Sequence, residues 1–409
     1  MMSRPMPAPP ARFKIERFNG KASERPLTVE RIGDERRLAD LKEPWERLLL
    51  RSSRGNPFLS WGWVAAWRRH FGEGKALEIL VIREGEEVVG IAPFYMAVES
   101  RLGIPLRRLS ILGDEAVGSD HLDLLSLDGF EEKVAGAVAE YWRRSPGRWD
   151  FIQLRDLSER SPHLPFLIEA VQKQGGFIQK EEGETCPYLL LGPSWEGALN
   201  RLSAGMRYAV RRKIRSVERE GGVEWAAIET WDAGRSGMEA LMSLHQQRWR
   251  GGSDAFAGPR KIPFHREASQ YFFERGIAKL FLLKIEGRIV ASLYGFLMGG
   301  TFFYYQAGFD PAWGDKSVGT VLMGKTIQSA ISRGWKEFDF LRGAEAYKFH
   351  WTDDVKKTWD VFFYPPSLKG RIFRRARLMD QELRGFARRR LPPNWLERLR
   401  ALKMKGFDR

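Results

Sequence analysis

Cysteine is nearly absent from this chain of 409 residues. Cys186 stands alone, so no internal disulfide can form, and a Cys-based metal cluster or redox pair is excluded. The six histidines are scattered without metal-ligand spacing, and His245 and His350 are too isolated to be ligands, so no metal site is expected. The chain contains neither a Gly-x-Ser-x-Gly elbow nor a Walker loop. No apolar run approaches the roughly 20 residues that a membrane-crossing helix requires. Met1 to Pro10 is rich in proline and lacks the apolar core of a signal peptide, so a disordered start and a cytoplasmic location are expected.

Positive charge is abundant, and it is placed unevenly. The net charge is +15, yet residues 366–409 carry 14 Lys/Arg against 4 Asp/Glu and so supply +10 of it. Ile372, Phe373, Ala376 and Met379 lie among those arginines, followed by Pro392-Pro393 and a second short basic helix. Basic amphipathic segments can lie on anionic membranes, so peripheral contact with the inner membrane surface is one expectation and a solvated tail the other. Charge alone is non-specific evidence for nucleic acid, and no specific DNA binding is expected. With 43% hydrophobic and 12% aromatic residues, the chain has material for two domains of ordinary size.

The informative stretch runs from Lys279 to Trp351. Leu280–Ile285 and Ile289–Phe296, rich in β-branched and aromatic residues and separated by Glu286-Gly287-Arg288, predict a hairpin. A Gly299-Gly300 turn leads to a third strand, Thr301–Gly308, then a loop from Phe309 to Ser317. A helix follows from Val318 to Ser332, stopped by Gly334, and Glu337–Leu341 forms a short further strand ending in Arg342-Gly343. Free N–H groups at a helix N-terminus suit a pyrophosphate, and a glycine there lets the backbone approach closely. Lys316, Ser317, Val318, Gly319 and Thr320 occupy that position.

This segment resembles the acyl-CoA-binding half of the GNAT (N-acyltransferase) superfamily, whose phosphate loop reads Gln/Arg-x-x-Gly-x-Gly/Ala. Here it is Lys316-x-x-Gly319-x-Val321, with the first and last positions replaced. Tyr304–Asp310, Gly319–Leu322, and Asp339–Gly343 with Tyr347, Lys348 and Trp351 resemble the branch that includes cellulose-biosynthesis-type (CelD-like) acetyltransferases, relatives of the Fem aminoacyltransferases. With gaps, the resemblance runs from about Pro57 to Trp351. It implies an α/β (α+β) fold of two tandem GNAT-like domains, with mixed, mostly antiparallel sheets flanked by helices.

The first half repeats the pattern. Leu77–Ile82 and Val88–Phe94 match the later hairpin, Leu106–Leu112 continues the sheet, Ser119–Leu125 alternates acidic and apolar residues as a strand, and Val134–Trp142 is a helix. Trp149–Leu154 then stands where Glu337–Leu341 stands in the second copy. The first copy lacks a phosphate loop and is expected to support the second and help form the acceptor cleft. Upstream, Leu38–Leu50 and a helix capped by Ser60, with Trp63, Val64, Trp67 and Phe71 on one face, predict helical core packing. The expected divisions are a disordered or linker N-terminus over 1–27, a degenerate GNAT-like domain over 28–192, a GNAT-like domain carrying the cofactor site over 193–365, and a basic amphipathic tail over 366–409.

Between these halves, Arg207, Arg211 and Arg215 fall on one stripe of a predicted helix over Ala204–Arg219. The stripe is either a solvated face or a positive wall for an anionic ligand, such as cofactor phosphates, a nucleotide sugar or tRNA. A further amphipathic helix spans Met238–Trp249, and Gly251–Pro263 reads as a mobile surface loop.

The resemblance implies a cytoplasmic acyltransferase using acetyl-CoA or another acyl-CoA, without a metal, on an amino or hydroxyl group of a sugar nucleotide, polysaccharide or cell-envelope precursor. Its partners would be a small-molecule or glycan acceptor. The strand edge around Tyr305, Gln306 and Ala307 would meet the thioester, and Lys316 to Thr320 its phosphates. Asp339, at a strand end among apolar residues, is the candidate base or acceptor-orienting group, Tyr347 the candidate acid for the thiolate, and Tyr305 a further catalytic candidate. Arg342, Lys348, Trp351 and Arg211 are the candidate acceptor-binding residues. Two rivals stay open: a Fem-like aminoacyltransferase that uses aminoacyl-tRNA, and a catalytically silent accessory protein of polysaccharide biosynthesis.

Overall fold

Two apolar hairpins, one in each half of the chain, organise the structure, a computed structural model that describes residues 12–14, 26–101, 104–114, 116–249, 252–253 and 255–390. The disordered start expected over 1–27 lies almost wholly outside these residues, and so do Pro392-Pro393 and the second basic helix. The first half runs through β1 (Arg12–Lys14), β2 (Leu27–Ile32), α1 (Glu35–Asp40), α2 (Lys42–Arg51), a 3-10 turn (Pro57–Leu59), α3 (Trp61–Phe71), β3 (Ala76–Glu84), β4 (Glu87–Arg101), β5 (Ile104–Ile111), β6 (Leu125–Ser126), α4 (Glu131–Arg144), β7 (Phe151–Ser158), α5 (Leu164–Lys173) and β8 (Phe177–Leu190). The second continues with α6 (Trp195–Asn200), α7 (Ala204–Glu218), β9 (Val223–Ile228), α8 (Trp231–Trp249), α9 (Gly258–Glu274), β10 (Ala278–Ile285), β11 (Arg288–Met298), β12 (Thr301–Phe309), a 3-10 segment (Pro311–Lys316), α10 (Val318–Ser332), β13 (Glu337–Asp339), β14 (Val355–Tyr364) and α11 (Leu368–Arg390).

The strands form one sheet in the order β1-β2-β3-β4-β5-β7-β14-β8-β13-β12-β11-β10-β9, with β6 alongside β4. Among the described strand pairs only β5–β7 and β12–β13 are parallel. The sheet is continuous because β8 serves both halves: Phe177 to Pro187 pair with β14, and Tyr188 to Leu190 pair with β13. β14, near the end of the chain, thus inserts between two strands of the first half.

The main core also crosses between the halves. Trp63 of α3, fully buried, packs edge-on against Phe264 of α9 and against Phe296 and Tyr305 of β11 and β12. α3 approaches α9 so closely that a Cβ on Gly62 would lie 2.3 Å from the Tyr271 ring. Ser60 caps α3 by accepting from the Trp63 N–H, as its position before an apolar run predicts. A second cluster, built from α7, α10 and the other face of β10 to β13, includes Trp351.

Two segments differ from their sequence patterns. Ser119–Leu125 is loop, apart from a single bridge of Leu122 to Leu157 and the start of β6. The acidic residues there turn inward, Asp120 to Arg342 and Asp123 to the His163 imidazole, rather than outward to water, and His121 adopts φ +55°. In the Gly251–Pro263 segment, Phe256 is buried and α9 already begins at Gly258, with Pro259 in the first turn where no N–H is needed.

Candidate active site

β12 and β13 run parallel only from Thr301↔Glu337 to Phe303↔Asp339. Beyond that point β12 continues to Phe309, whereas Phe340 and Gly343 donate their N–H groups to Pro187 and Thr185 on the β8 side. The strands therefore splay. The β11–β12 register also shifts between Tyr294 and Gly295, leaving Tyr305 as an extra residue in β12. At the splay opens a cleft of about 600 Å³ whose wall includes His245, Arg248, Tyr304, Gln306, Arg342 and Tyr347.

α8 supplies the upper wall, and it comes so close to β12 that a Cβ on Gly308 would lie 2.4 Å from the His245 backbone nitrogen. His245 Nδ1 is 3.1 Å from the Ala307 carbonyl, which can only accept, so Nδ1 carries the proton and Nε2 is left as an acceptor 2.9 Å from Ser253 Oγ. Burial first, and then the charge of Arg248, lower the imidazole pKa below its usual value, which keeps it neutral and able to take a proton. Arg248 lies over the rings of Trp249, Phe309 and Tyr347, with its guanidinium carbon 4.8 to 5.4 Å from their centroids.

The Tyr347 hydroxyl lies 3.3 Å from that of Tyr304. Burial and the neighbouring Tyr304 raise the Tyr347 pKa far above that of a free phenol, so it holds its proton at neutral pH. Gln306 lines the same cleft, and its amide has no protein partner among the described residues. Tyr305 also reaches the wall, but its hydroxyl donates to the Val117 carbonyl at 2.6 Å and ties the two halves together.

The turn that closes the cleft is held by groups the sequence pattern assigned to the acceptor. Leu341 sits at φ +57° and Gly343 at φ +107°. Asp339 Oδ1 accepts from the Leu341 N–H at 2.8 Å, and Asp120 Oδ2 from the Arg342 N–H at 2.8 Å. The Arg342 side chain spans the halves, with Nε 2.6 Å from Asp120 Oδ1 and Nη2 3.1 Å from Asp156 Oδ2. Lys348, almost fully buried, points its ammonium at the carbonyls of Leu341, Arg342 and Gly343 and pairs with Glu345 at 3.0 Å. Arg342 and Lys348 thus line the cleft with their donors already engaged.

Asp339 stands apart from the cleft. It is fully buried, bonded to Lys356 Nζ at 2.9 Å, with His121 Nε2 at 3.2 Å. Burial pushes its pKa up, but His121 and Lys356 outweigh burial and hold it below the carboxylate range, so it makes a poor proton acceptor. Trp351 is buried against Gly324 of α10, and exposed Arg211 pairs with Glu196; neither lines the cleft.

The first turn of α10 lies at the far end of β12. Val321 N donates to Ser317 O, while the N–H groups of Val318, Gly319 and Thr320 have no backbone acceptor among the described residues. Ser317 enters the helix at φ +54°. The bare face of Gly319 receives Phe309, whose Cδ1 would be 3.0 Å from a Cβ there, so this glycine seats an aromatic ring. Lys316 is paired with Glu220. The open N–H groups and the dipole of a 15-residue helix fit a pyrophosphate.

Residues 204–349 match a family model described as an acetyltransferase (GNAT) domain. Among solved structures, the chain is similar to FemX, with a TM-score of 0.57 and 12% identity over 81% of this chain and 97% of that one. The fold is that of GNAT-type acyltransferases. The C-terminal (DUF2156) domain of a protein named as a lysylphosphatidylglycerol synthetase from Agrobacterium fabrum is similar at a TM-score of 0.51 and 10% identity, over 80% and 92% of the two chains. A conserved protein of unknown function from Bacteroides thetaiotaomicron is similar at 0.50 and 12%, over 82% and 99%. No relative among curated proteins matches the sequence. His245, Arg248 and Asp120 were not singled out as site residues by the sequence pattern; the one available signal was the polar cluster His245-Gln246-Gln247-Arg248 closing an amphipathic helix.

Proposed function

We propose that this protein is an acyltransferase that moves an acyl group, acetyl in the simplest case, from a coenzyme A thioester to an amine or hydroxyl. The observation that carries this is the splay of β12 from β13, which opens a cleft holding a neutral imidazole and a protonated phenol. The wording of Tyr304–Asp310 and Asp339–Trp351, similar to the CelD-like branch, supports a sugar nucleotide, polysaccharide or cell-envelope precursor as acceptor.

A bound thioester would supply an activated acyl carbon and a thiolate leaving group. The backbone of Val318, Gly319 and Thr320 would hold its phosphates, with the helix dipole in place of the engaged Lys316. In the cleft, His245 Nε2 takes the acceptor's proton, directly or through the Ser253 hydroxyl, and Tyr347 gives a proton to the departing sulfur. Arg248, fixed among three rings, supplies positive charge beside Tyr347.

Calorimetric titration with acetyl-CoA tests the assignment. Binding is expected, and Thr320→Glu, which puts a carboxylate at the open N–H groups without displacing Phe309, should abolish it. Equal affinity in the variant would refute the phosphate position. The likeness to FemX supports a second possibility, a Fem-like aminoacyltransferase, for which charged tRNA rather than acetyl-CoA should raise the melting temperature.

A further inference from the structure

A second cavity, of about 270 Å³, opens between the two halves at the other end of β12 and β13, where Thr301 and Glu337 begin those strands. Three residues on its wall form a hydrogen-bonded chain. Asp123 Oδ1 lies 2.9 Å from His163 Nδ1, and His163 Nε2 lies 2.9 Å from Ser126 Oγ. The carboxylate can only accept, so Nδ1 donates, and in the neutral ring Nε2 then accepts from the serine hydroxyl. That is the tautomer in which an imidazole can deprotonate a serine.

Separate elements hold each member. Ser126 lies in β6, pinned opposite Gly90 of β4. His163 precedes α5, where Ser161 Oγ accepts from the N–H groups of His163 and Leu164 at 3.3 and 3.0 Å. Asp123 is oriented by the Leu124 N–H, which donates to it at 2.8 Å. Ser126 Oγ has no other hydrogen-bond partner among the described residues. On the same wall, Arg160 has a single neutral hydrogen-bond partner, the Tyr188 hydroxyl, and Arg54 has no ion-pair partner among the described residues.

We propose that this cavity is a second chemical site, in which Ser126 is a nucleophile activated by His163 and Asp123 toward small esters that carry a negative charge. Ser126 Oγ bonds to the acyl carbon as its proton passes to His163 Nε2; the C–O bond to the alcohol breaks, and the alcohol leaves with that proton. Water then adds to the acyl-serine, giving a proton to His163, and the carboxylic acid departs as Ser126 recovers its hydrogen. Arg160 and Arg54 meet a carboxylate or phosphate on the ester, and the cavity volume limits that ester to a small one.

The test uses the full chain. Incubation with an alkyl fluorophosphonate followed by peptide mapping should place one adduct on Ser126. Hydrolysis of p-nitrophenyl hemisuccinate should show a lower KM than that of p-nitrophenyl acetate, and Arg160→Gln should remove the difference. Ser126→Ala should lower the rate by about 10³-fold or more, and Asp123→Asn by about 10²- to 10⁴-fold, because the amide favours the wrong tautomer. Absence of an adduct on Ser126 in folded wild-type protein, or wild-type hydrolysis by Ser126→Ala, would overturn the proposal. Should the alanine variant fail to fold, the adduct map on unaltered protein decides alone. Neither assay contains coenzyme A, so the outcome is independent of acyl transfer in the cleft.

Discussion

Replacing Arg342 with Met separates an acceptor-binding role from a role in joining the halves. Asp120 is fully buried and Asp156 nearly so, and Arg342 is the cation between them, 222 residues from Asp120 in sequence. Removing one partner from a buried ion pair leaves its counter-charge uncompensated and costs about 3–5 kcal/mol, less here because the Arg342 side chain is 31% exposed. The loss should also depend on pH. Burial already raises Asp156 to about 6, with Arg342 opposing that rise, so the variant moves it higher still. A carboxyl whose folded pKa is raised destabilises the fold above that pKa and not below its unfolded value near 3.8. The variant should therefore show its full deficit above its own raised Asp156 pKa, and the Asp156 share should shrink as pH falls from there and be gone below 6, where both proteins bind that proton. Urea unfolding at pH 8 and pH 5 measures both numbers. A deficit below about 1 kcal/mol at pH 8, or the same deficit at both, would refute the reasoning; a raised acceptor KM with unchanged stability would return Arg342 to the acceptor.

In the cleft, Tyr347→Phe should lower turnover by roughly 10²- to 10⁴-fold while acetyl-CoA affinity measured by calorimetry stays within about twofold, and a thioester with a better leaving group should recover part of the loss. His245→Gln should lower turnover by a similar factor. Because burial lowers the His245 pKa, the wild-type rate should fall only on the acid side of pH 6.5, and the variant's pH–rate profile should lack that limb. On α11, Leu368, Ile372 and Met379 are exposed on one face, while Phe373 stacks on Phe151 and Arg377 binds Glu181 on the other. If the basic helix rests on anionic membrane, Ile372→Glu with Met379→Glu should reduce salt-sensitive pelleting with phosphatidylglycerol vesicles and leave the melting temperature unchanged.

Local signals proved the most legible. The hairpins β3–β4 and β10–β11 were visible because β-branched and aromatic runs flank a glycine turn, and α10 because its apolar positions end at Gly334, at φ +73°. The α8 start was missed by several residues because Gly234 and Gly237 lower its apparent propensity. Those glycines let α8 pack against Phe273 and Leu280, a contact that no local window contains. β14 and most of β8 carry many charged residues and show little apolar alternation. Lys357 and Glu182, 175 residues apart, meet only once those two strands pair, while Lys356 reaches Glu337 on β13 and Glu181 reaches Arg377 on α11.

The same distance in sequence explains which site residues could be assigned from the chain and which could not. Asp339, Arg342 and Lys348 have the residue types of a catalytic acceptor site, and their spacing after a strand is compatible with one. For Asp339 and Arg342 the partners decide otherwise: His121 and Asp120 come from a loop of the first half, and Lys356 from a strand that crosses into it, whereas Lys348 is engaged locally by the carbonyls of Leu341, Arg342 and Gly343 and by Glu345. A charged group whose counter-charge is supplied by the protein is spent on architecture, whereas one left facing a cleft without it is available for chemistry. His245 and Tyr347 are uncharged, need no counter-charge and face the cleft, so they are the groups available there for proton transfer. The Asp339 and Arg342 clusters instead set the turn at Leu341 that aims Tyr347 across the opening, so their loss should reach the chemistry through geometry rather than through proton transfer.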